Sequence, residues 1–127
     1  MTRSKEEYVA MGIALYFKKE YGCGVRYVQE GVDSYIYIYN EEFDLLITVC
    51  NASNGKCIKI EDIVIEEPFR NKGVLKGLLN ILKGIADEQS VKLGLWCELN
   101  NKRLFDFYIK SGFKYVETLD DHWLCYN

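Results

Sequence analysis

The sequence predicts a single α/β domain, built on a mixed β-sheet that is flanked by helices. The chain has 127 residues, of which 49% are apolar, and this is enough for one domain with a buried core. Runs rich in Ile, Val and Tyr are bounded by Asn and Gly, which is typical of strands. In the second half, two such runs flank a segment with helical periodicity, which indicates a parallel, right-handed crossover. No segment has the Ser-, Gly- or Pro-rich composition of a linker, so residues 1–127 are expected to form one domain.

The net charge indicates which partners to expect. The 16 Lys and Arg residues against 19 Asp and Glu give a net charge of -3 and a pI near 5.2. A nucleic-acid binder usually has a basic face, so no nucleic-acid partner is expected, whereas an acidic protein suits a cationic substrate such as an amine. No apolar run approaches the ~20 residues of a membrane helix and no signal peptide is evident, so no membrane partner is expected either. A homodimer is compatible with the sequence, which leaves the oligomeric state open.

The cysteines predict a reducing environment. Their number is odd, and they are scattered without a CxxC pair, at Cys23, Cys50, Cys57, Cys97 and Cys125. This pattern suits buried thiols in a cytoplasmic protein better than a disulfide framework. His122 and Cys125 are three residues apart without a second pair of ligands, so no metal site is predicted.

The first predicted element is a helix. Ser4 and Glu7 have the spacing of a capping box, and the helix is expected to continue to about residue 21. Glycines at 22 and 24 end it, and residues 25–28 form a short strand. The stripe expected to face inward consists of Val9, Gly12, Ile13, Tyr16 and Phe17.

A β-hairpin follows, and a third strand is joined to it. In residues 34–39, Ile36 and Ile38 share one face, and three tyrosines share the other. Residues 40–42 form a turn into a strand at 43–50, and residues 51–55 form a second turn that contains Asn-Gly. The tyrosine face is either the half-buried side of a sheet or a binding wall for an aromatic or cationic partner.

Residues 57–90 carry the main functional signal. A β-branched strand at 58–65 leads through a polar loop at 66–73 into a helix, whose apolar stripe consists of Val74, Leu75, Leu78, Leu79, Leu82 and Ile85. The unpaired N–H groups at a helix start attract anions, and Arg70 and Lys72 add positive charge. The segment therefore predicts a phosphate-bearing ligand.

The last third of the chain completes the sheet. Apolar residues alternate along a strand at 91–99, and a helix at 102–111 follows, capped at 100–101, with Leu104, Phe105 and Tyr108 on one face. Strands at 113–118 and 122–126 close the sheet across a turn at Asp120 and Asp121.

Two segments in the second half of the chain have characteristic spacings. Residues 70–75 match the Arg and the first Gly of the pattern [R/Q]xxGx[G/A], and Asn101, Tyr108, Gly112 and Phe113 have the spacing of a second pattern. With these two motifs the chain resembles the GNAT superfamily of acetyl-CoA-dependent N-acetyltransferases, in which the first is the acyl-CoA pattern. The likeness covers residues 33–127. Within the superfamily, residues 60–62 and 121–123 look similar to the spermidine/spermine N-acetyltransferases.

The resemblance implies a GNAT fold and an acetyl-CoA site with assigned residues. The pantetheine arm would bond to the strand backbone at Ile63, Val64 and Ile65. The pyrophosphate would lie on the loop and the helix start formed by Arg70, Asn71, Lys72, Gly73, Val74 and Leu75. The helix that starts at Asn101 would flank the other side of the arm, with Asn101 and Leu104.

The resemblance also implies catalytic roles. Tyr108 would protonate the leaving thiolate as general acid, and Glu61 would take the proton of the amine, directly or through water. A backbone N–H near residue 63 or 64 would stabilise the oxyanion. Glu61, Asp120 and Asp121 are the candidates for binding the acceptor, although the two aspartates also suit a plain turn.

Asn71 and Leu75 depart from the family pattern, which usually has Gly at the first position and Gly or Ala at the second. The side chain of Leu75 must turn into the core, or it would crowd the pyrophosphate. An open pocket above Gly73 would therefore distinguish an enzyme from a degenerate family member that binds CoA or a protein partner without catalysis. A third interpretation is an interaction module that uses the edge of the sheet and needs no ligand. The acceptor is left open among a small amine, a polyamine, an antibiotic and a protein lysine.

Overall fold

The computed structural model of the protein describes residues 5–31, 33–52, 55–98, 100–115 and 123–127. Its elements are α1 (Lys5–Tyr21), β1 (Gly24–Glu30), β2 (Asp33–Tyr39), β3 (Phe43–Ala52), β4 (Gly55–Ile65), a 3₁₀ turn (Glu67–Phe69), α2 (Val74–Gln89), β5 (Lys92–Trp96), α3 (Lys102–Lys110), β6 (Lys114–Tyr115) and β7 (Trp123–Cys125). The predicted order of helices and strands is confirmed.

The strands form one mixed sheet in the order β1-β2-β3-β4-β5-β7-β6. Neighbours are antiparallel except β4 and β5, which run parallel from the pair Cys57 and Lys92 to the pair Ile60 and Leu95. The predicted parallel crossover through α2 is therefore confirmed, as is the hairpin of β2 and β3.

A β-bulge lies in the pairing of β3 with β4, at the point where the pairing of β4 with β5 ends. Ile60 pairs with Ile47 of β3, the next pair joins Asp62 to Leu46, and Glu61 is the extra residue between them. A bulge bends the strand that carries it and increases its twist. Beyond the bulge, β4 continues to Ile65 on β3 alone, because its pairing with β5 has ended.

The helices share one face of the sheet. Phe17 of α1 packs against Phe43 of β3 with ring centroids 6.4 Å apart. In α2, Lys83 donates to the carbonyl oxygen of Ser111, directly after α3, so that the two helices are joined. The buried cluster includes Ile13 and Phe17 of α1, Leu78, Leu79 and Leu82 of α2, Tyr108 of α3, and Ile36, Ile38, Leu45, Ile47, Ile58, Ile60, Leu93, Leu95 and Leu124 of the sheet.

Some details of the sequence prediction are wrong. Gly12 and Tyr16 are exposed, because the buried face of α1 runs through Val9, Ala10, Ile13 and Phe17 instead. Other elements differ in length from the prediction. β1 extends to Glu30 instead of ending at residue 28, and β5 covers Lys92–Trp96 instead of 91–99, because it pairs with β4 and β7 only there. Ser4, residue 99 and residues 116–122, which include the expected turn and the adjoining ends of the last two predicted strands, lie outside the described residues.

The predicted pattern of burial is confirmed at the cysteines and along β2. Cys23, Cys50, Cys57 and Cys97 are buried as predicted, and Cys125 is half-buried. Among the residues described, no helix combines the length and the hydropathy that a bilayer-spanning segment needs. Ile36 and Ile38 are buried, whereas the tyrosines that alternate with them are half-buried (Tyr35) or exposed (Tyr37 and Tyr39), as the alternation predicts.

Candidate functional site

A cavity of about 770 Å³ lies where β4 leaves β5. Its volume is within the usual range for small-molecule sites. The end of β4, the loop before α2, the first turn of α2 and one side of α3 enclose it. The lining residues are Ile63, Val64, Ile65, Phe69, Arg70, Asn71, Gly73, Val74, Leu75, Lys76, Asn101, Arg103, Leu104, Phe107 and Tyr108.

The loop at the start of α2 has the backbone geometry of an anion site. Asn71 and Gly73 have φ values of 63° and 81°, in the left-handed region, which Gly and Asn adopt most readily. Gly73 is the N-cap and no side chain caps the helix, so the first N–H groups of α2 lack intrahelical partners. A Cβ atom on Gly73 would meet no protein atom within 4 Å, so the space in front of the loop is open. These features suit a phosphate group.

Positive charge surrounds this loop. Arg70, Lys76 and Arg103 line the cavity, and the Nε of Arg70 donates to the backbone oxygen of Ile65 at 2.9 Å. The hydrogen bond ties Arg70 to the end of β4, beside the loop. Lys72 is exposed and is not among the lining residues, although it lies in the same loop.

Leu75 forms part of the cavity wall without closing it. It is half-buried and packs against the hydrophobic core together with Val74. The same side chain lines the cavity, which remains open next to Gly73. The core therefore accommodates the departure from Gly or Ala at this position, and the pocket above Gly73 is open.

Tyr108 is held inside the cavity wall by α3. Asn101 caps this helix, because its Oδ1 accepts a hydrogen bond from the N–H of Leu104 at 3.2 Å. Tyr108 lies on the inward face, is 4% exposed, and packs against the ring of Phe113 at 6.1 Å. Burial raises the pKa of Tyr108 well above its usual range, with Cys97 and Asp62 adding to the effect. At neutral pH its hydroxyl group is therefore protonated and can donate a hydrogen bond.

The structure brings most of the predicted site residues into this one cavity, and Glu61 and Lys72 are not among its lining residues. Glu61 is the half-buried extra residue of the bulge, at the point where β4 and β5 separate. Asp120 and Asp121 lie outside the described residues.

Sequence reasoning missed several residues that line the cavity: Phe69, Lys76, Arg103 and Phe107. Lys76 and Arg103 could have been found, because each lies in the first turn of a helix that was predicted to border the ligand. Phe69 and Phe107 carry no such signal, since an aromatic residue near an apolar stripe is usually read as core. Among the described residues, no three His, Cys, Asp or Glu side chains are grouped in a way that could hold a metal ion.

Comparison with known proteins places these features in a family. Residues 9–113 match the sequence model of the acetyltransferase (GNAT) family. Among curated proteins, none matches this sequence.

Similar folds occur among solved structures. A GNAT-family acetyltransferase from Staphylococcus aureus has a TM-score of 0.55 and 14% identity, over 100% of this chain and 96% of that one. Another, from Listeria monocytogenes, has a TM-score of 0.55 and 14% identity, over 95% and 86% of the two chains. An Arabidopsis thaliana protein in complex with the bisubstrate analogue CoA-Ac-MVNAL has a TM-score of 0.52 and 16% identity, over 98% and 91%. At these identities the likeness establishes the fold alone.

Proposed function

Because the chain belongs to the acetyltransferase (GNAT) family, we propose that it transfers an acetyl group from acetyl-CoA to a primary amine. One observation carries the proposal: the cavity at the separation of β4 and β5 is open in front of Gly73 and has Tyr108 in its wall. The structural neighbour bound to a CoA-containing bisubstrate analogue supports the choice of ligand.

The residues around the cavity fit the parts of acetyl-CoA. The open amides at the start of α2 suit the pyrophosphate, and Arg70, Lys76 and Arg103 supply positive charge for its phosphates. The segment of β4 at Ile63–Ile65 that has left β5 offers backbone groups to the pantetheine arm. Asn101 and Leu104 border the arm from the side of α3.

The reaction needs positioning and proton transfer more than covalent catalysis. Acetyl-CoA supplies an activated acyl group, so a C–N bond forms to the amine as the C–S bond breaks and CoA leaves as a thiol. Bringing the two reactants together accounts for a large part of such a rate enhancement. The net reaction converts an ammonium group and a thioester into an amide, a thiol and one proton.

Two side chains have roles in moving protons. Tyr108, which is protonated at neutral pH, hydrogen-bonds to the departing sulfur and passes its proton to the thiolate. The second proton, which the attacking nitrogen loses as the tetrahedral intermediate collapses, returns to Tyr108 through solvent. Glu61, the extra residue of the bulge between β3 and β4, accepts the proton of the attacking ammonium group, directly or through water. A backbone N–H of Ile63 or Val64 stabilises the oxyanion.

Isothermal titration with acetyl-CoA tests the binding half of this proposal. We expect wild-type protein to bind and Arg70→Glu to bind at least about tenfold more weakly, since the substitution reverses a charge at the phosphate site. Lys110→Glu is the matched control, because Lys110 is an exposed cation at the far end of α3. No heat and no thermal shift at saturating acetyl-CoA would refute the proposal.

Product formation separates the enzyme from a relative that binds CoA without catalysis. The assay is the release of free CoA thiol with a panel of primary amines that includes Nα-acetyl-lysinamide and spermidine. Tight binding with no turnover on any amine would favour the noncatalytic alternative.

A further inference from the structure

The face of the sheet opposite the helices exposes a group of aromatic, apolar and acidic side chains. We call this group the outer patch. It takes two residues from each of three adjacent strands, Tyr37 and Tyr39 of β2, Asp44 and Leu46 of β3, and Asp62 and Val64 of β4. In register they form two rows, Tyr37–Leu46–Asp62 and Tyr39–Asp44–Val64.

The outer patch is uncovered in the part of the chain that the structure describes. Tyr37, Tyr39 and Val64 are 39%, 40% and 40% exposed, because α1 and α2 pack on the other face. Exposed contiguous apolar surface marks interaction sites, and tyrosine is enriched in protein interfaces.

The two tyrosines form a fixed platform. A Cβ atom on Gly24 would come within 2.4 Å of the ring of Tyr39, so this ring lies directly across the backbone of β1. The ring of Tyr37 is 5.6 Å from that of Tyr39. Aromatic side chains held in this way offer contact area at little cost in conformational entropy.

The outer patch is continuous with the cavity. Val64 belongs to both, since it is exposed on the outer face and lines the cavity. Asp62, in the next row, is close enough to Tyr108 to contribute to the raised pKa of its hydroxyl group. Because β4 and β5 separate after Ile60 and Leu95, a side chain approaching over the outer patch can reach the cavity through the gap.

The composition of the outer patch selects the chemistry of the partner. Asp44 and Asp62 lie on the cavity side of the outer patch, whereas the cation Arg26 lies at its far edge, opposite Tyr37. Carboxylates and aromatic faces both attract ammonium groups. A small amine on this flat face would be buried on one side only, whereas small-molecule sites enclose most of their ligand. A polypeptide brings its own contact surface and needs no enclosing pocket.

We propose that the acceptor is the side-chain amine of a lysine in a protein that docks on the outer patch. This inference rests on the proposed acetyltransferase function and specifies its substrate class. The lysine enters the gap between β4 and β5, and residues flanking it in the partner contact Tyr37 and Tyr39.

The test compares the same amine in two settings. An array of lysine-centred nonapeptides identifies the best acceptor sequence, whose kcat/KM is then measured against Nα-acetyl-lysinamide and spermidine. We expect the peptide to be better by about 30-fold or more, the effect of one strong contact residue. Tyr37→Ala and Asp44→Asn should each lower the peptide value by about tenfold while the Kd for acetyl-CoA stays within twofold. Tyr8→Ala, an exposed tyrosine on α1, is the matched control.

Several results would overturn the inference. A kcat/KM for spermidine or Nα-acetyl-lysinamide that equals the value for the best peptide would refute it. A loss of peptide kcat/KM in Tyr37→Ala that is no larger than the loss in Tyr8→Ala would also refute it. Sedimentation that shows a dimer dissociated by Tyr37→Ala would assign the outer patch to a second copy of the chain instead. Wild-type protein that fails to bind acetyl-CoA would refute the proposed function itself, and this inference with it. If the wild-type protein binds acetyl-CoA but acetylates small amines better than peptides, only the proposed docking on the outer patch would be refuted.

Discussion

Ile60 of β4 and Leu95 of β5 form the last parallel pair between these strands. The residue after Ile60 is the bulged Glu61, and from Asp62 onward β4 pairs with β3 alone. Both Ile60 and Leu95 are almost completely buried, so the close-packed core reaches the point where the strands separate. The cavity therefore begins at a rigid boundary, and we expect changes beyond this pair to affect ligands more than folding.

Tyr108→Phe should separate binding from catalysis. The ring remains packed against Phe113, so the Kd for acetyl-CoA should stay within about twofold while kcat falls by about 100-fold or more. Calorimetry and a thiol-release assay measure the two quantities. Tyr115→Phe, at an exposed tyrosine of β6, is the control. An unchanged kcat would contradict the role of Tyr108 as general acid and leave it with a packing role alone.

Glu61→Gln should lower kcat/KM most at neutral pH. The amide cannot accept the proton of the ammonium group, so we expect a loss of about 100-fold at pH 7, shrinking as rising pH deprotonates the amine in solution. The pH profile of kcat/KM for both proteins measures this. Glu67→Gln, an exposed glutamate in the 3₁₀ turn, is the control. A loss that is independent of pH would argue against a role as general base.

Gly73→Ala should weaken both folding and binding. At a φ of 81° an alanine costs about 1–2 kcal/mol, and its Cβ would occupy the open space assigned to the phosphates. Gly84→Ala makes the same chemical change at an exposed position inside α2, where alanine should stabilise the helix by about 1 kcal/mol. Urea unfolding and acetyl-CoA titration measure both effects. Unaltered affinity in Gly73→Ala would place the ligand elsewhere.

Stability should fall in the alkaline range through Cys57. Burial raises the pKa of this thiol from 9.0 to about 11, so above pH 9 the unfolded chain loses its proton before the native state does. The contribution is complete below pH 9 and is lost as the pH rises to 11, by about 2–3 kcal/mol. Urea unfolding from pH 8 to pH 10.5 should show a smaller decline for Cys57→Ala than for wild type. Parallel declines would contradict this assignment.

Short-range signals predicted the elements well. Alternation with a period of two marked Ile36 and Ile38 as buried, and helical spacing marked Leu78, Leu79 and Leu82. These signals are local, because the period of the side chains follows from backbone geometry. In α1 the same reasoning misplaced Tyr16, since several stripes of its apolar residues are consistent with a helix and only packing selects one.

By itself the sequence determined the order of the elements, the basic glycine-bearing loop at residues 70–75 and the spacing from Asn101 to Tyr108, because each depends on neighbours along the chain. Only the tertiary structure decided that Glu61 is a bulge, that Arg103 faces the same cavity as Arg70, and that one face of the sheet carries the helices. These features depend on strand register and on packing between distant segments, which no local period encodes.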